Sequence, residues 1–372
     1  MSGGSDHSEV DIAVDRPGGK EKWHDLNEER TQWIDWAKTL GIWLVVFGHI
    51  PGHPPVVSEF IYAFHMPLFF CLSGYLAKSR SVVDTAKSGV VRLLIPYGLF
   101  YALTWLWWYF FGFLRHPEWF SHLPAIQAAL VQPLLGMLFG VGHATSISNM
   151  VNVPLWFLVG LFNVSVAFAV VDALKSWPMK AITTVLLSGI PYVLTTHGID
   201  LLFSLDSALM ALPFYAAGKW AADADLVARV SHARRDLRPL IVALALAVLG
   251  LVVATNGRVD INLVRYGKDP LLFYAGGLAG IVLVWAVSVS CARWIYGPTV
   301  FTISRGAIVI LAFHSILSGL FLALLRALGV EGPGLLLSAA IAAAVVFLCV
   351  PLIEIIESAA PLLVGKRKAA PC

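Results

Sequence analysis

The sequence predicts an all-α polytopic membrane protein with about ten transmembrane helices and a further re-entrant or interfacial segment. Three observations predict it. Of the 372 residues, 58% are hydrophobic and 13% charged, with a mean hydropathy of +0.77, whereas about a quarter of a soluble domain is charged. The apolar residues gather into runs bounded by charge, Pro and Gly. Basic residues recur on every second connection between the runs, the bias of loops kept in the cytoplasm.

In chain order, residues 1–30 are rich in acids and glycine and lack an apolar core. They read as a flexible cytoplasmic arm, because a signal peptide needs a basic start and an early apolar run. The first run, 34–50, is therefore expected to stay as a membrane helix. Further runs lie at 56–76, 93–113, 154–171, 181–196, 203–218, 239–255, 270–291, 299–322 and 333–358. Several are shorter than the roughly 20 residues a crossing needs, so their ends extend into polar flanks or their breaks are shielded by protein. Residues 124–142 are also apolar, but as a further span they would put the Arg234 cluster outside; they are the re-entrant or interfacial segment. The membrane domain then covers 31–360 and a short basic cytoplasmic tail 361–372.

The basic residues test the count. Lys20, Lys22 and Arg30 precede the first run, and Lys78, Arg80, Lys87 and Arg92 follow the second. Lys175 and Lys180 follow the fourth, Lys219, Arg229, Arg234, Arg235 and Arg238 the sixth, Arg293 the eighth, and Lys366, Arg367 and Lys368 the last. Both termini are thereby expected in the cytoplasm of a multi-pass protein of the inner or plasma membrane.

Composition also excludes. A net charge of +3 from 26 basic and 23 acidic side chains is too small to suggest nucleic acid. Cys71, Cys291, Cys349 and Cys372 are widely separated and fit neither a zinc spacing nor a disulfide framework. There is no convincing repeat, no Gly-rich phosphate loop and no sizeable soluble domain at either end, so the membrane unit or its short loops must carry any chemistry. Dispersed glycines suit close helix packing, within one chain or between copies.

The chemistry-bearing residues concentrate on the first helix. Eleven steps at 100° bring His49 to within about 20° of Lys38, and Asp35 lies within about 40° of His49. The rise separates Lys38 from His49 by roughly 16 Å, about half the hydrocarbon thickness. Ionisable groups there are expensive and mark a site. Lys38 belongs near the cytoplasmic mouth, where a mobile cation suits phosphate, and His49 lies deeper, where a neutral imidazole accepts a hydroxyl proton. The plainer alternative has Lys38 snorkelling to headgroups and Asp35 pairing locally.

In the next run, His65 stands beside an expected distortion at Pro67, which frees a carbonyl and opens a polar pocket; it orients His49, binds substrate, or is a packing residue. Ser73 and Gly74 mark close helix contact more readily than a nucleophile. The His49–His53 spacing invites a metal, but it runs through Pro51 and Gly52 and lacks the glutamate of a hydrolytic pair; no metal is expected. Arg305 and His314 fall in the penultimate run, and Arg92 opens the third. Trp105, Trp107, Trp108, Tyr109 and Trp119 read as an interfacial belt or a sugar-stacking surface.

Lys38 and His49, with Asp35, Gly48 and the Phe64–Tyr75 string that includes His65, Ser73 and Tyr75, resemble the integral-membrane acyltransferase-3 family, especially its branch of fucose 4-O-acetylases and related acetyltransferases. That family carries Arg or Lys, ten residues, then His in its first helix. Arg92–Tyr97, Leu155–Leu158 with Trp156, and Ala312–His314 resemble further family blocks, over roughly 30–358.

The resemblance implies a roughly ten-helix core and transfer of acetyl from cytoplasmic acetyl-CoA to a hydroxyl of a glycan, lipid-linked sugar or glycosylated small molecule. It assigns Lys38, with Arg92, to the coenzyme phosphates and His49 to the acceptor proton, with His65 and Asp35 in support. Some relatives add an extracytoplasmic domain that completes transfer; this chain ends at Cys372, so transfer is expected to be direct or to use a separate acyl-transfer partner. Two other readings stay open: a transporter or proton-coupled permease lined by the histidines, and a glycan-binding membrane protein embedded in lipid but without catalysis.

Overall fold

Helix satisfies every backbone group within one apolar segment, and the described residues adopt it almost throughout. The computed structural model describes residues 19–115, 123–140, 149–233 and 237–365. In order they form α1 Gly19–His49, α2 Pro55–Tyr62, α3 His65–Tyr75, α4 Val82–Gly89, α5 Ile95–Arg115, α6 Leu123–Ile126, α7 Gln132–Phe139 and α8 Trp156–Asp172. The second half comprises α9 Trp177–Thr196, α10 Leu205–Asp223, α11 Leu226–Ala233, α12 Arg238–Asn256, α13 Pro270–Trp294, α14 Pro298–Arg305, α15 Ala307–Ala327 and α16 Leu335–Ala359. The only β pairing among these residues is an isolated bridge between Asp260 and Arg265.

Eight helical segments among the described residues are long and apolar enough to cross a membrane. Of the runs read from sequence, 34–50 and 203–218 are missing from that set. Both fall in helices that carry charge, α1 with Asp35 and Lys38, and α10 with Asp206, Lys219 and Asp223. Both are also sheathed by other helices: α1 touches α3, α13, α14, α15 and α16, and α10 touches α3, α8 and α9. Burial inside protein replaces the apolar composition that lipid contact would require. The fold is all-α and polytopic.

Three boundaries differ from those expected. The helical backbone of α1 begins at Gly19, inside the stretch read as a flexible arm; residues 1–18 lie outside the described set, as does most of the basic tail. The 56–76 run is two helices, broken at Ala63–Phe64, where Phe64 has φ −143°. Pro67 cannot donate to the carbonyl four residues back, that of Ala63, and its ring crowds that carbonyl, so the break falls upstream of the proline. The 299–322 run breaks at Gly306, where a β-carbon would overlap the Ile353 side chain of α16.

Of the run 124–142, residues 141 and 142 lie outside the described residues, and the rest falls in the short helices α6 and α7, joined by a π turn at Gln127–Val131, and in Gly140. They are not among the eight spanning candidates. Two carbonyls of α7 accept from tyrosines of α5: Tyr101 donates to Pro133 O at 2.6 Å and Tyr97 to Met137 O at 2.7 Å.

Close packing of α3 on α10 depends on glycine. A β-carbon at Gly74 would run into the Tyr215 carbonyl, and one at Gly218 into the Cys71 carbonyl, so the two backbones touch as small-residue interfaces in membranes do. Gly250 of α12 has open space around it. We expect Gly218→Val to lower unfolding stability by about 1–3 kcal/mol or more, and Gly250→Ala to stay within about 0.5 kcal/mol. Thermal unfolding of the purified variants in one detergent measures both; equal melting temperatures would remove the role given to this crossing.

Candidate functional site

Three helices bring imidazoles to one place. His49 ends α1, His65 begins α3, and His314 lies in α15. The rings of His49 and His314 meet edge to face with centroids 5.2 Å apart. Tyr62, at the end of α2, bridges the others, 4.9 Å from His65 and 6.4 Å from His49 by ring centroid. The Pro67 break makes this possible, since it places Tyr62 and His65 on separate helices with their rings in contact.

Each histidine is fixed the same way. Nδ1 of His49 donates to Val45 O at 2.7 Å, that of His65 to Ile61 O at 2.8 Å, and that of His314 to Ile310 O and Leu311 O at 3.0 Å each. A carbonyl only accepts, so Nδ1 carries the hydrogen and each Nε2 is left with a lone pair. Ser315 donates to Nε2 of His314 at 3.4 Å. His65 and His314 are 3% and 0% exposed. His49 is exposed, so among the three it presents the reachable base.

Below His49 the helix face continues through Val45, Ile42 and Lys38, positions spaced by one or two turns. Ile42 and Val45 line an apolar cavity of about 50 Å³ whose other walls include Met66 and Phe69 of α3, Phe157 and Leu158 of α8, and Leu311 of α15. Lys38 is partly buried and makes no salt bridge among the described residues. The stripe read from the sequence thus runs from the half-buried Lys38 across a buried apolar stretch to the exposed His49.

Asp35 does not join the histidines. Its carboxylate accepts from Ser304 at 2.6 Å and Tyr296 at 2.7 Å, while Trp36 donates to Ile295 O at 2.6 Å and Thr39 to Val300 O at 3.3 Å. These bonds pin α1 to α14 and to the turn before it. Burial, then the adjoining Asp35 carboxylate, push the Tyr296 phenol up to about 12. Its bonds go to α14 and to the turn before it, and none of them reaches an imidazole.

The other sequence candidates stand in the following contacts. Arg305 forms a 2.8 Å salt bridge with Glu357 and stacks over Phe301. Tyr75 meets Trp33 edge to face. Trp156 is buried against Phe70 and Phe157, and Ser73 sits half-buried beside the Gly74 crossing. Arg92 is exposed on a π turn, Val90–Leu94, its backbone against Gly365 near the chain end. His53 packs its ring on Phe47 and bonds to Ser58. Among the described residues no three His, Cys, Asp or Glu side chains are arranged to hold a metal. Trp119 lies outside the described residues.

Sequence reasoning missed four neighbours of the imidazoles. Tyr62 is one. Arg258 holds its guanidinium 5.4 Å from the Tyr62 ring centre. Asp260 acts electrostatically on both His49 and Tyr62, and burial raises its own carboxyl above the ordinary range, against the pull of nearby amides and of Arg258 and Arg265. Asn152 is buried, donates to Ala312 O at 2.8 Å and leaves its amide oxygen without a protein partner, two residues along α15 from His314. A basic connection on the face opposite the expected cytoplasmic loops was the signal for Arg258; nothing in the sequence marks Asn152.

The helical bundle thus holds one exposed imidazole beside two buried ones. Residues 31–354 match the acyltransferase domain model of the acyltransferase-3 family, and the chain belongs to that family. No curated protein and no solved structure matches it. It is a membrane acyltransferase.

If Asp35 positions α1, then Asp35→Ala should lower stability by about 1–2 kcal/mol, with Ser304→Ala adding little in the double variant. Full additivity of the two losses in denaturant or thermal unfolding would show that they are not partners.

Proposed function

We propose that the protein transfers acetyl from acetyl-CoA, entering at the Lys38 end of the α1 stripe, to a hydroxyl of a glycan, lipid-linked sugar or glycosylated small molecule presented at His49. The observation that carries this reading is the exposed His49, whose Nδ1 is committed to Val45 and whose Nε2 is left as an acceptor. In the proposed step, Nε2 takes the acceptor hydroxyl proton as the oxygen attacks the thioester carbonyl. The tetrahedral intermediate collapses, the C–S bond breaks, and the imidazolium returns its proton to the leaving thiolate. Products are an acetyl ester and free CoA.

The stripe supports the donor side. Lys38 and His49 are separated by roughly 16 Å along the helix, the scale of an extended pantetheine arm. The intervening wall of Ile42 and Val45 is apolar and borders the cavity, which suits a thin chain carrying few charges. Lys38 has no carboxylate clamped on it and is free to meet phosphate, with Arg92 a second basic group on the expected cytoplasmic side.

His49→Ala should reduce acetyl transfer by about 100-fold or more while the melting temperature stays unchanged. Transfer at the original rate by a folded variant would eliminate His49 as the base. Lys38→Ala should raise the KM for acetyl-CoA about tenfold through loss of a charged contact, and an unaltered KM would withdraw the phosphate assignment. The acceptor is sought by mass spectrometry of surface glycans and small metabolites from cells with and without the gene. An added acetyl mass present only with the gene supports the reading; identical spectra together with no acetyl-CoA consumption by the purified protein would refute it.

A further inference from the structure

The connection between α12 and α13, residues 257–269, stands over the histidines and is built more rigidly than a linker requires. Buried Asn256 ties it down three times: Nδ2 donates to Tyr266 O at 2.8 Å, Oδ1 accepts from the Asp269 amide at 2.7 Å, and its carbonyl accepts from the Lys268 amide at 3.0 Å. Val259, Ile261, Val264 and Tyr266 are buried beneath it. The Asp260 and Arg265 amides each donate to the other's carbonyl, at 2.9 and 2.8 Å, and close the turn, and Gly267, at φ +81°, lies so close to Asn256 that a β-carbon would not fit.

This pinned turn presents Arg258, Arg265 and Lys268 to solvent. Its two carboxylates are already engaged by its own backbone: Asp260 accepts from the Asn262 amide at 3.0 Å, and Asp269 caps α13 through the Leu271 and Leu272 amides. Arg258 makes no salt bridge among the described residues, yet it is held over Tyr62, whose ring also adjoins His49 and His65. Basic residues on the face where His49 ends α1 run against the bias that puts Lys and Arg in the cytoplasmic loops. Topology therefore does not account for them. A guanidinium that lies over Tyr62, feels Asp260 only at a distance and forms no salt bridge among the described residues, one aromatic ring from the reachable base, is suited to an oxyanion.

We propose that this hairpin is an acceptor subsite in which Arg258, supported over Tyr62, binds a carboxylate or phosphate carried by the acceptor and so sets its hydroxyl against His49. The proposal rests on the reading of His49 as the base of acyl transfer. It narrows the acceptor to anionic molecules, an acidic sugar or a sugar phosphate, and makes Arg258 a specificity-determining residue.

Binding to the full-length protein in nanodiscs of neutral phosphatidylcholine tests it, using methyl glucoside, glucuronic acid and glucose 1-phosphate as probes. At least one anionic sugar should bind about tenfold or more tightly than methyl glucoside, as expected of a charge-assisted contact. The preference should vanish in Arg258→Ala, survive in Arg258→Lys and reverse in Arg258→Glu; the two anionic probes separate carboxylate from phosphate. Equal affinity for all three sugars, including no binding of any, or an anion preference that survives Arg258→Ala, overturns the subsite. Acetyl-CoA consumption by the wild-type protein is followed in parallel. Anion-selective binding with no consumption would keep the subsite and sink the acyl-transfer reading, whereas consumption without anion preference sinks the subsite alone.

Discussion

The constraint on which the rest of the structure depends is the cost of a polar stripe inside a membrane. A helix bearing Asp35, Lys38 and His49 cannot face hydrocarbon over that side; it has to be sheathed by protein. α3, α13, α14, α15 and α16 supply the sheath, and the glycines that let α3 lie against α10, and α16 against Gly306, set how tightly the bundle closes. The enclosed face is then available for chemistry that water or lipid would otherwise disturb.

Within that enclosure the backbone does much of the work of orientation. Each of the three histidines gives its Nδ1 hydrogen to a carbonyl one turn back on the chain. This fixes the tautomer without a carboxylate partner and directs the lone pairs away from the parent helix. Asp35 serves the same end at a distance. By tying α1 to Tyr296 and Ser304, it holds the rotation of the helix that carries Lys38 and His49. The two buried imidazoles and Tyr62 then fix the surroundings of the one ring that remains reachable.

The sequence shows much of this and misses the rest for definable reasons. Helical periodicity over one continuous segment is enough to put Lys38 and His49 on a common face, and apolar runs with alternating basic loops are enough for the polytopic architecture. Periodicity also places Asp35 on that face. It carries no information about Ser304, which reaches Asp35 only through the packing of α14 on α1. His314 was legible as a buried polar residue but not as a neighbour of His49, 265 residues earlier in the chain. Tyr62 and Arg258 escaped because their contact depends on the break before His65 and on a hairpin pinned by Asn256, both products of tertiary packing. The Pro67 signal was read correctly as a distortion, but the carbonyl it displaces belongs to Ala63, which moves the break upstream.

The central claim is that one enclosed helix face joins the donor's phosphates to the reacting imidazole. A structure of the protein with bound CoA tests it most directly. The account predicts phosphates at Lys38, the pantetheine arm along Ile42 and Val45, and the thiol sulfur within about 3–4 Å of His49 Nε2. CoA bound on another face of the bundle, with its sulfur remote from all three histidines, would contradict it.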